Sequence, residues 1–104
     1  MTKNEYNGWT NYETWVVNLW LTNEEGSDTY WRERAKELCV SNDWDKDAAA
    51  SDMADELKAQ HEESMPEVTG VFSDLLRSSL DAVDWQEIAA NFTADIEKQP
   101  EEGE

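Results

Sequence analysis

The sequence predicts an all-α fold: a compact bundle of about four to five short helices forming a single domain over residues 1–98, with a flexible acidic tail over 99–104. Three observations carry this expectation. Apolar side chains recur at the three- and four-residue spacings that gather them on one face of a helix. Capping residues stand ahead of most of these stretches. Only two prolines and four glycines occur in 104 residues, and no segment shows the two-residue alternation of a half-buried strand.

The first helix is expected behind Thr10 and Glu13, which have the spacing of a capping box. Tyr12, Trp15, Val16, Leu19 and Trp20 follow as its stripe and are expected to form the centre of the core. Tyr6 and Trp9 precede it and read as a lid on that core. Asn23 to Gly26 breaks the pattern with turn residues. Ser27 then reads as the cap of a second helix, with Asp28 placed where the helix dipole favours an anion. Trp31, Ala35 and Leu38 mark its buried side, and Arg32, Glu33, Lys36 and Glu37 its solvated one. After a break at Ser41 to Asp43, a third helix runs from about Asp45 to Glu63. Ala50, Met53, Ala54, Leu57 and His61 lie along its inner side, with Trp44 packing at its entrance. Ser64 and Glu67 repeat the capping spacing, with Pro66 inside the first turn, where its missing N–H costs little. The fourth helix carries Val68, Phe72, Leu75, Leu76 and Leu80, and Gly70 weakens its start. Asp84 and Glu87 open a fifth, which buries Trp85, Ile88, Ala89, Phe92 and Ile96.

Charge bounds the partners. Twenty-five carboxylates face eight Lys and Arg, a formal net charge of −17. Such a molecule repels free nucleic acid and anionic membranes and attracts cationic protein surfaces. Adaptation to a salty cytoplasm, or to solubility alone, gives the same composition. Cys39 is the single cysteine, so no internal disulfide forms, and its place beside Leu38 marks a buried structural thiol. The apolar runs fall far short of the roughly 20 residues that span a bilayer, and Met1 to Asn7 is polar. The expectation is a soluble, cytoplasmic protein.

Signatures of catalysis are missing. One His and one Cys, without CxxC, HExxH or a Gly-rich phosphate loop, leave no catalytic residue, cofactor or metal to expect. His61 reads as a partly buried helix residue. Asp43, Asp45 and Asp47 alternate as in a calcium loop, but the central glycine and the closing Glu are absent. They fit the start of a helix better. The positive signal lies on the third helix. Asp45, Asp52, Asp55, Glu56, Glu62 and Glu63 fall within roughly one-third of its circumference, opposite Met53, Ala54 and Leu57. These six carboxylates are the candidate partner-binding face.

Tyr6-Asn7-Gly8-Trp9-Thr10-Asn11-Tyr12-Glu13-Thr14-Trp15, continuing through Asn18-Leu19-Trp20-Leu21 and Asn23-Glu24-Glu25-Gly26, resembles a family of small phage, plasmid and prophage proteins marked by an Asn-Tyr-Glu-Thr-Trp box. Val83-Asp84-Trp85-Gln86-Glu87-Ile88-Ala89 is similar to that family's closing helix. The resemblance implies a mobile-element setting and no catalytic role. Small acidic proteins of such elements often occupy the nucleic-acid-binding surface of a host defence nuclease. Two readings follow. One is an anti-CRISPR or anti-restriction inhibitor that meets a basic host protein with a DNA- or RNA-mimicking acidic surface, in the host cytoplasm if phage-encoded. The other is an adaptor or assembly protein that binds through an apolar patch, with a homodimer left open.

Overall fold

Five α-helices make up the computed structural model, which describes residues 6–96: α1 (Tyr12–Asn23), α2 (Glu25–Ser41), α3 (Lys46–Glu63), α4 (Val71–Ala82) and α5 (Trp85–Ala94). The tail expected over 99–104 lies outside the described residues. The fold is the all-α bundle that the helical periodicity predicts. Its centre is a three-helix unit in which α3 packs most extensively on α5, and α2 closes on both. α1 lies across α2 and α5, and α4 packs on α1.

Side-chain size sets this order. Ala49, Ala50 and Ala54 let the backbones beside α3 come close, and Met53 and Leu57, both 0% exposed, fill the space between them. Trp85, Ile88, Ala89 and Phe92 bring the buried side of α5 against that surface, and Trp31, Ala35, Leu38 and Cys39 bring that of α2. His61 is half-buried, as its sequence position suggested. Its Nδ1 lies 2.8 Å from the Leu57 carbonyl, and its ring centroid is 5.0 Å from that of Trp85. Trp9, Val17, Trp44, Leu80 and Ile96 pack around the core from its edges.

Capping follows residue chemistry. Asp45 accepts from the Ala48 amide at 3.1 Å and Asp84 from the Glu87 amide at 3.0 Å, each satisfying an orphan donor of a first turn. α2 ends with the paired bonds of a Schellman motif. The Trp44 amide donates to the Cys39 carbonyl at 2.7 Å and the Asp43 amide to the Val40 carbonyl at 3.1 Å, with φ of 56° at Asp43 and 66° at Trp44.

Four local expectations are corrected. Thr10 does not cap α1: Asn11 does, accepting from the Thr14 amide at 2.9 Å. Ser27 does not open α2, because Glu24 alone interrupts the chain between Asn23 and Glu25 (φ −95°, ψ 121°) and the Asp28 amide already donates to the Glu24 carbonyl. Ser64 ends α3 instead of starting α4. Pro66 pushes Met65 away from helical geometry, so Val68 lies in an extended connection and α4 begins only after Gly70, whose φ of 67° suits glycine.

The largest correction concerns α1. Its bulky stripe turns away from the core: Trp20 is 73% exposed and Tyr12 51%, while Trp15, Val16 and Leu19 are half-buried. The inner side is the narrower Thr14, Val17 and Leu21, with Thr14 wholly buried. Both sides of α1 carry apolar groups, and the spacing of the chain does not say which one the core will take. α4 repeats the theme, since none of its residues is fully buried.

Candidate interaction surface

α3 presents the acidic face that its sequence suggests, and its six predicted carboxylates divide into three situations. Asp52, Asp55, Glu62 and Glu63 are exposed. Asp52 accepts one hydrogen bond from Asn42 Nδ2 at 3.2 Å. Asp45 is also exposed, but its Oδ1 is engaged as the α3 cap. Glu56 is half-buried and forms a two-pronged pair with Arg34 of α2, at 2.8 Å from Nε and 2.5 Å from Nη2. Arg34 also meets Glu37 at 3.0 Å. The hydrogen bond to Glu56, then that to Glu37, holds the guanidinium well above its ordinary pKa. Glu56 therefore serves to tie α3 to α2, and the open part of the face is Asp52, Asp55, Glu62 and Glu63.

Charge is concentrated on this helix. α3 has six Asp and Glu against Lys46 and Lys58, a net charge of −4. Each of the other four helices has a net charge of −1. Among the described residues, Arg34 is the cation paired with an α3 carboxylate.

Exposed apolar side chains are the second feature, and the sequence did not indicate which residues they would be. Among the described residues eight large apolar side chains are exposed, and five of them sit on one pair of helices, Tyr12 and Trp20 on α1 and Val71, Phe72 and Leu75 on α4; a sixth, Tyr6, precedes α1 and sets its ring edge-on to Tyr12 and tilted against Trp15 at centroid distances of 5.2 and 4.8 Å. Tyr6 thus extends the apolar side of α1 and does not cover the core, whereas Trp9 does pack against it. The wide apolar stripe of α4 was the available signal, because one neighbour cannot cover all of it.

The Asn-Tyr-Glu-Thr-Trp box has a structural task. Thr14 Oγ1 donates to Asn11 Oδ1 at 2.6 Å and accepts from the Asp84 amide at 2.8 Å. Asn11 Nδ2 donates to the Ala82 carbonyl at 2.7 Å, and the Thr10 amide donates to Glu87 Oε1 at 3.1 Å. These bonds clamp the start of α1 to the junction of α4 and α5.

The description of a family of unknown function, DUF7249, matches residues 2–103. The chain belongs to this family. In this DUF7249 chain the match spans the clamp, the acidic face and the exposed apolar side chains alike. No curated protein and no solved structure matches it.

Elsewhere among the described residues of this DUF7249 member, reactive groups are kept apart. Among the described residues, no three His, Cys, Asp or Glu side chains converge as a metal site. A cleft of about 140 Å³ between α1, α2 and α5 contains Arg32, but that guanidinium is bound to Asp28 at 3.0 Å and reaches Asp95 at 3.8 Å. Cys39 is fully buried, and desolvation pushes its thiol pKa up, away from the reactive thiolate. Among the described residues, no helix is long and apolar enough to cross a membrane.

Proposed function

We propose that this chain is a non-enzymatic inhibitor of a host nucleic-acid-binding defence protein, of the anti-CRISPR or anti-restriction type, and that the exposed carboxylates of α3 imitate a nucleic-acid backbone. One observation supports it above the rest: Asp52, Asp55, Glu62 and Glu63 stand open on the helix with the largest net charge, on a rigid element anchored by Met53 and Leu57. A cationic groove built for phosphates would meet fixed negative groups there, and the net charge of −17 would steer the encounter from a distance. The resemblance to phage and plasmid proteins supplies the setting, the cytoplasm of an infected host.

The experiment is capture of a purified defence nuclease on the immobilised chain at about 50 and about 500 mM salt, where the Debye length shortens from more than 10 Å to a few ångströms. Binding should fall steeply. The variant Asp52→Asn, Asp55→Asn, Glu62→Gln, Glu63→Gln should lose it while keeping its circular dichroism, because all four side chains are exposed. Capture that survives those four changes rules out the acidic face.

A further inference from the structure

We infer that the groove at the start of α2 receives a main-chain segment of a basic partner protein, with carbonyl oxygens of that segment on the free amides of the first turn and a Lys or Arg side chain at the rim. Glu24, Gly26, Ser27, Tyr30, Trp31 and Gln60 line this one groove of about 620 Å³, where the last turn of α3 meets the start of α2. Its floor is a set of unused donors. The side chain of Glu24 makes no cap, and among the described residues the amides of Glu25, Gly26 and Ser27 and the Ser27 hydroxyl have no acceptor. Trp31 adds another donor from the core. It is only 3% exposed, yet its indole N–H has no acceptor among the described residues. The indole N–H of Trp85 is sealed from solvent, whereas that of Trp31 is not and opens on the groove its ring lines. Gly26 points the same way. Glycine weakens a helix, and here neither a positive φ nor packing requires one: a Cβ at position 26 would meet nothing within 4 Å. What the missing side chain provides is backbone open to close approach.

Donors and charge together select the occupant. Donors on the floor require oxygen acceptors. A free anion is the wrong one, because the first turn of a helix offers roughly half a positive charge. Against it stand the carboxylates of Glu24 and Glu25 and a net charge of −17, and no Lys or Arg lines the groove. A peptide carbonyl supplies the acceptor without the charge. A basic side chain beside that carbonyl then meets Glu24 at the rim. It also meets Tyr30, which is 50% exposed and set edge-to-face with Trp31 at 4.9 Å, for a cation–π contact. Gln60 is exposed, and its carboxamide offers a donor and an acceptor to the next peptide unit. The open α3 carboxylates do not line the groove, so its occupancy is separate from the nuclease binding proposed above.

The probe is the capped tripeptide acetyl-Gly-Arg-Gly-amide, titrated into the full isotope-labelled chain while the amide resonances of Gly26 and Ser27 and the indole N–H resonance of Trp31 are followed. All three should move together, with a dissociation constant on the order of 1 mM. Acetyl-Gly-Gly-Gly-amide should bind about threefold to tenfold more weakly, having lost the cation. Inorganic phosphate at the same concentrations should move the three resonances far less. Gly26→Gln, which lays a side chain over the amides in open space, should weaken tripeptide binding about tenfold while circular dichroism is retained. Tyr30→Ala should weaken it about threefold. The four-site α3 variant should bind the tripeptide as the wild type does, so loss of this groove and loss of the acidic face are told apart. Resonances that stay still up to about 20 mM tripeptide, phosphate that moves them as far as the tripeptide, or binding indifferent to both substitutions would overturn the inference.

Discussion

Thr14 shows how one polar side chain can hold distant segments together. It is wholly enclosed, yet both capacities of its hydroxyl are used, towards Asn11 Oδ1 and from the Asp84 amide 70 residues away. Replacing it with Val keeps the shape and removes the polarity, leaving Asn11 Oδ1 with one donor fewer and the half-buried Asp84 amide without the acceptor it has now. Thr14→Val should therefore lower stability by about 2 kcal/mol, and Thr14→Ser by much less, as read from urea unfolding monitored by tryptophan emission. The capping roles of Asp45 and Asp84 were legible at this scale, because a cap is a local contract between a side chain and an amide three residues on. The role of Thr14 was not, since its partner lies at the far end of the chain. Glu56 is similar: its reach to Arg34 crosses 22 residues.

For whole helices, periodicity identified α3 and α5 with their buried sides correct, because each has one apolar side and one polar side. Met53, Ala54 and Leu57, and likewise Ile88, Ala89 and Phe92, had nowhere else to point. The rule fails for α1, where two apolar sides compete, and for α4, whose stripe is wider than its neighbour can cover. Two phenylalanines measure the difference. Phe92 is 4% exposed and Phe72 68% exposed, although both sit on apolar stripes of similar spacing. Phe92→Ala should cost about 3–5 kcal/mol through lost burial and a cavity. Phe72→Ala should stay within about 0.5 kcal/mol. Paired denaturation curves at low protein concentration check both, and a large loss at Phe72 would place α4 in the core after all.

The molecule as a whole divides into a three-helix centre and an outer pair, α1 and α4: the acidic face belongs to the centre, and most of the exposed large apolar side chains among the described residues belong to the outer pair. The acidic face could be read from the chain because solvated carboxylates announce themselves by spacing, whereas an uncovered apolar face emerges only when helices have been packed and one is left over. The extended connection between α3 and α4 has a separate consequence. Pro66, Glu67, Thr69 and Gly70 are exposed, while α5 beyond them is seated deep between α2 and α3. The backbone can therefore be severed in this stretch while the packing that unites the two sides remains. Residues 1–67 and 68–104, made as separate polypeptides and mixed, should recover the helical signal and blue-shifted tryptophan emission of the intact chain. The 68–104 piece by itself should have little structure, since α5 would lose α2 and α3 together. Were this pair of fragments to ignore one another in solution, the cohesion assigned to α3 and α5 would have to come from the continuity of the chain itself.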